Sequence, residues 1–187
     1  MPFSLSSHDD WLFWSPELEA QGRVELVAAR LGSEENRIAV AEAMLGATTD
    51  AQQAEAVAVV GLWLPQAREH AVLGSVQGHI FAAERPKDRN VRKFLKSVRH
   101  APTIPGLTLT DYSVDTAEPE IGPAVIQHLS THTGGDAPVV HTWRITIFPP
   151  DVAEIFVLEF STVALMLLDD FEDALADVVS GMTAVAA

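Results

Sequence analysis

Hydrophobic and polar positions change their period along this chain, and the clearest change comes near its C-terminal end. Over 155–160 the residues alternate: Phe156, Leu158 and Phe160 make a wholly apolar face, and Ile155, Val157 and Glu159 occupy the other. Period two with one apolar face predicts a strand buried on one side. From 169 onward the period lengthens. Phe171, Leu175, Val178, Val179 and Met182 recur at helical spacing, with Glu172, Asp173 and Asp177 opposite. Asp169 stands three residues before Glu172, which predicts a helix start with carboxylates near the positive end of the dipole. A half-buried strand thus feeds an amphipathic helix that needs a sheet to pack on.

The same reading extends backward. Gly134-Gly135-Asp136 separates strand-like runs at 124–133 and 139–148, predicting a β-hairpin. Pro149-Pro150-Asp151 turns the chain into the strand at 154–160, so three antiparallel strands form a meander. A further strand at 107–116 joins it through "AEPEIGP", and runs at 54–64 and 72–83 predict a second hairpin around "PQAREH". Helical patterns cover 17–31 and 34–53, divided at Gly32-Ser33, with Ile38, Ala41, Met44 and Leu45 on one side of the second. A third helix is predicted at 88–99. Trp11, Phe13 and Trp14 could line a ligand site, but read better as an aromatic lid packed on the core. About six mostly antiparallel strands with helices available for both faces give an α/β (α+β) class and an α/β/α sandwich, in a single domain over 1–187.

Composition narrows the function classes. The chain carries a net charge of −14, which disfavours nucleic acid and anionic membranes as general partners. It has no cysteine, so disulfides and thiolate metal sites are excluded. Uncharged apolar stretches at 56–65 and 160–168 are far shorter than the ~20 residues of a membrane helix. The first residues, "MPFSLSSHDDWLFWSPELEA", lack a basic n-region and a continuous apolar run, and the expectation is a cytoplasmic protein.

Nucleotide-binding glycine fingerprints and a nucleophile elbow are absent from the sequence. Asp169, Asp170, Glu172, Asp173 and Asp177 form a carboxylate cluster that could hold a hard cation but reads better as a solvated helix face. Histidine offers more. His128 and His132 lie four apart in one strand and share a face. With the loop at 134–137, Ser130 opposes His141 and brings a third imidazole to that face, diagonal to both. Three imidazoles suit zinc or a similar transition metal, and a register change of one residue would dismantle the set. Val139, Trp143, Ile145 and Ile147 share that face, which also fits a half-buried structural surface.

One segment runs against the acidic balance. Seven of the twelve Lys and Arg lie in 85–99, opposed only by Asp88, so this segment carries +6. On a helix, Arg89, Arg92, Lys93, Lys96 and Arg99 cover one arc, with Val91, Phe94, Leu95 and Val98 opposite. The apolar arc predicts packing on the core. The basic arc is either a wet surface or a docking face for an acidic protein partner, a second copy of this chain included.

The "DDWLFWSPE" entry, the alanine-rich helix before "AVAVVGLWLP", "EIGPAVIQH", "HTWRITIFPP" and "LEFSTVALMLLDDFEDALADVVSGM" resemble a group of actinobacterial proteins. That group is similar in layout to the PsbP-like superfamily. The resemblance implies an accessory or binding role and supplies no catalytic residue. Together these readings predict a non-enzymatic binding or accessory protein acting through protein–protein contact, with no cofactor unless the histidines hold zinc. The alternative is a small-molecule or metal-dependent enzyme with its site on the 124–148 hairpin face.

Overall fold

The chain runs β1 (Phe3–Ser4), β2 (Trp11–Trp14), α1 (Ala20–Arg30), α2 (Glu34–Gln53), β3 (Val57–Trp63), β4 (Gly74–Ala82), α3 (Lys87–Ser97), β5 (Thr108–Ala117), β6 (Ala124–His132), β7 (Val140–Ile147), β8 (Glu154–Thr162), α4 (Leu168–Ser180) and β9 (Thr183–Ala184). The computed structural model describes residues 3–5, 9–83, 87–150 and 152–184. Seven strands pair antiparallel in the order β2-β3-β4-β8-β7-β6-β5, and β1 pairs with β9 in a separate two-stranded ribbon. Both predicted hairpins and the β6-β7-β8 meander form, because each apolar alternation is closed by a Gly- or Pro-bearing turn.

Sheet size is where the sequence reading needs correction. Six strands were expected and seven are present; the seventh is β2, the segment predicted to be a lid. Trp11–Trp14 pairs with Trp63–Val60 along its full length and forms the sheet edge. Four residues are too few to display period two convincingly, and all four are large and apolar. The pairing partner, not the local pattern, reveals the strand.

Alternation then sorts the strand residues into two clusters. Trp11, Val59, Trp63, Val76, Trp143, Ile145, Phe156, Leu158 and Phe160 point to one side, where they meet Phe171, Leu175, Val178 and Val179 of α4. Leu12, Trp14, Val60, Leu62 and Leu64 point to the other, where they meet Val27 and Leu31 at the end of α1 and Val40, Met44 and Ala51 of α2. Phe171 is the centre of the first cluster. Its ring lies 6.0, 5.0 and 5.4 Å from those of Trp11, Trp63 and Trp143. Gly74 allows this approach: a Cβ there would sit 2.5 Å from Phe171 Cε2.

Two helical details depart from expectation. Helix α2 buries Val40, Met44, Thr48 and Ala51, while Ile38 and Leu45 are 57% and 59% exposed. The Trp14 indole N–H donates to Thr48 Oγ1 at 3.0 Å, so a buried polar pairing helps set the rotation of α2. Helix α4 begins at Leu168, after a 3₁₀ turn at Leu165–Leu167, and its N-cap makes no side-chain hydrogen bond. Asp169 and Asp170 therefore sit within the first turn and favour the helix through its dipole, not as caps.

Candidate functional site

On the face opposite α4, the helices leave the middle of the sheet open. Helices α1 and α2 cover the β2-β3 end, and α3 covers the β5-β6 end. Between α3 and the strands lies a cavity of about 730 Å³. That volume is within the range of small-molecule sites. Phe94 and Val98 of α3 form one wall, and Pro102 and Ile104 of the following loop extend it. Leu129, Ile155 and Val157 belong to the sheet floor, and His79 and Phe81 line the far side with stacked rings 5.9 Å apart.

A polar row crosses this floor. Register places Gln127 opposite Arg144, Arg144 opposite Glu159, and Glu159 opposite Gln77, on β6, β7, β8 and β4 in turn. Arg144 donates from Nε at 2.8 Å and from Nη2 at 2.6 Å, both to Glu159 Oε2. The Arg144 and Glu159 side chains remain 46% and 35% exposed, which weakens the pair as a source of stability and leaves it accessible from the cavity. Two residues along β7, the Thr146 hydroxyl is buried with no hydrogen-bond partner among the described residues.

Tyr112 ties the wall to the floor. Its hydroxyl donates to the Val98 carbonyl and accepts from Gln127 Nε2 at 3.1 Å. Phe94 adds a ring contact with Phe148 at 5.8 Å. The amphipathic pattern of α3 supplies the rest: Val91, Phe94, Leu95 and Val98 are all half-buried on the side facing the sheet.

None of Arg144, Glu159, Gln127 and Tyr112 was singled out from sequence. A signal existed. Arg144 and Glu159 are charges of opposite sign, each near the middle of its strand, on the face opposite the apolar one. Counting register through the Pro149-Pro150 turn would have brought them together.

The predicted histidine site assembles in part. Ser130 does oppose His141, and His128 Nε2 lies 3.4 Å from His141 Nδ1. His128 stacks on Trp143 at 4.4 Å, and the Asp111 carboxylate lies 4.0 Å from its Nδ1. His141 Nδ1 also contacts Ser130 Oγ at 3.1 Å, while its Nε2 is buried without a partner among the described residues. His132 turns to the loop instead, where its Nδ1 accepts from the Gly134 N–H at 3.0 Å. Gly134 and Gly135 adopt φ of 98° and 60°, and this left-handed turn is what aims that N–H back at the ring. Among the described residues no group of three potential ligands is placed to hold a metal ion. Burial holds the His141 pKa below its usual 6.5; a charge on His128 lowers it further, and Asp111 opposes the shift.

The other predicted features lie elsewhere. Arg92, Lys93, Lys96 and Arg99 are exposed on the outer side of α3 and its end, and none is in an ion pair among the described residues. The Arg89 side chain lies outside the described residues. Asp169, Asp170, Glu172, Asp173 and Asp177 are exposed on α4, as a solvated face requires. No described helix is long and apolar enough to cross a membrane.

In comparisons with known proteins, no family matches the chain and no curated protein is similar to it in sequence.

Proposed function

We propose that this chain is a non-enzymatic binding protein, built as an α/β/α sandwich, whose ligand sits in the cleft between α3 and the open sheet face. The cavity of about 730 Å³ carries this reading. Its surface is mainly apolar, and three of its polar groups, Gln127, Arg144 and Glu159, share one row of the floor, an arrangement that suits orienting a ligand. Ser97 and His100 also line it, but the Ser97 hydroxyl donates to the Phe94 carbonyl and not to a base, which supports binding over catalysis. An accessory role is also what the PsbP-like resemblance implies.

A neutral fluorescent probe, N-phenyl-1-naphthylamine, tests the proposal. Its emission should rise saturably with wild-type protein, and Val157→Trp, which fills the floor, should abolish the rise. Equal enhancement by the filled variant would place the probe elsewhere and refute the reading.

The contact between His128 and His141 favours a second reading, the metal-dependent enzyme on the hairpin face. Stoichiometric zinc uptake lost in His128→Ala and His141→Ala would support it. Calorimetry without saturable binding would end it.

A further inference from the structure

An apolar knob stands just past the end of β8, the strand that helps to floor the cleft. There the chain runs Val163-Ala164-Leu165-Met166, and Val163, Leu165 and Met166 are all exposed. Met166 is 92% exposed, more than any other large apolar side chain among the described residues. Single exposed hydrophobics need no explanation, but three within four residues mark a contact surface. Asp169 and Asp170 follow in the first turn of α4, and both are exposed. The knob does not serve its own cleft. Val163 lies about 20 Å along the strand direction from Val157 on the cleft floor. From there the chain enters α4, which packs on the other side of the sheet.

The cleft offers the complement. Phe94, Val98, Leu129, Ile155 and Val157 give it apolar surface, and Phe81, itself exposed, lines its far side. Ser97 and His100 line it too. Their neighbours in sequence, Lys96 and Arg99, are exposed cations with no ion pair among the described residues. An apolar cleft beside a basic helix matches an apolar knob followed by carboxylates: burial supplies the contact, and charge sets its orientation. Resting on the cleft reading above, we infer that the occupant is a second copy of this chain. Its Leu165 and Met166 insert between α3 and the sheet, while its Asp169 and Asp170 face Lys96 and Arg99. The contact joins unlike surfaces of the two copies.

Sedimentation velocity at about 0.1 M salt, where exposed charges beyond about 10 Å are screened, tests this. The average mass of the wild type should rise with protein concentration, and saturating N-phenyl-1-naphthylamine should return it to monomer by filling the cleft. Leu165→Gln with Met166→Gln removes the knob and should weaken association about tenfold or more, with the fold intact because both side chains are exposed. Val157→Trp removes the cleft and should do the same. Mixed, the two folded variants should form one-to-one pairs, since one keeps the cleft and the other the knob. Association that survives the knob variant or the probe would overturn the inference, as would a mixture of folded variants that stays monomeric. If Val157→Trp does not fold, the knob variant and the probe decide. A wild type that takes up the probe yet stays monomeric would overturn the inference and leave the cleft to another occupant. Failure to take up the probe would remove the cleft reading, and the inference with it.

Discussion

His141 shows how burial, with a neighbouring imidazole, sets a residue's chemistry in this protein. Its folded pKa lies below the unfolded 6.5, first because burial penalises the imidazolium and then because His128 is adjacent. The unfolded chain therefore takes up the proton first as pH falls. This contribution to stability is complete above the unfolded value, and is lost as pH drops from about 6.5 toward the folded pKa. Urea denaturation at about pH 7.5 and about pH 5.5 should show that loss in the wild type, and His141→Gln should remove it from the difference between the two. An identical pH dependence in both proteins would contradict the assignment. The pairing of His128 with His141 was legible in sequence, because hairpin register follows from loop position. The fate of His132 was not: a backbone N–H freed by two left-handed glycines captured it, and single-residue periodicity carries no trace of such a contact.

At the scale of elements, α4 and α3 attach to opposite faces by different means. Helix α4 was the most legible element, since Phe171, Leu175 and Val178 repeat at helical spacing, and all three are buried. Phe171→Ala should cost ~3–5 kcal/mol in chemical denaturation, with three tryptophan rings left around the void. Gly74→Ala should destabilise by ~1–3 kcal/mol, because the Ser161 carbonyl, 3.1 Å from the added methyl, prevents it from moving aside. Helix α3 is half-buried and held by Tyr112. Tyr112→Phe should reduce stability by only ~0.5–1.5 kcal/mol, yet speed amide hydrogen exchange across 91–98. Unchanged exchange there would mean that Tyr112 does not anchor the wall of the cleft. The sequence displayed the two faces of α3 but not what the apolar one covers; that depends on the β5-β6 register, a long-range property. For the same reason β2 was misassigned, as an edge strand of four apolar residues shows its nature only against β3.

Taken whole, the molecule is an acidic body with a net charge of −14 and one basic helical surface. Its proposed role is to dock an acidic partner, which a second copy of this chain would be. Sedimentation at low ionic strength should show association that weakens as salt screens charges beyond ~8 Å. Arg92→Glu with Lys96→Glu should abolish it while changing unfolding by less than ~0.5 kcal/mol, since both side chains are exposed. Salt-insensitive association would reject the electrostatic account. The proposed ligand site is the cleft on the inner side of α3, whose polar row exists only once four strands are in register. Amide chemical-shift mapping by NMR, with N-phenyl-1-naphthylamine titrated into the wild-type protein, tests it most directly. The shifts should concentrate on Phe94, Leu129, Arg144, Thr146 and Val157, along the α3 side of the sheet. Shifts confined to the α4 face, or to no contiguous surface, would contradict it.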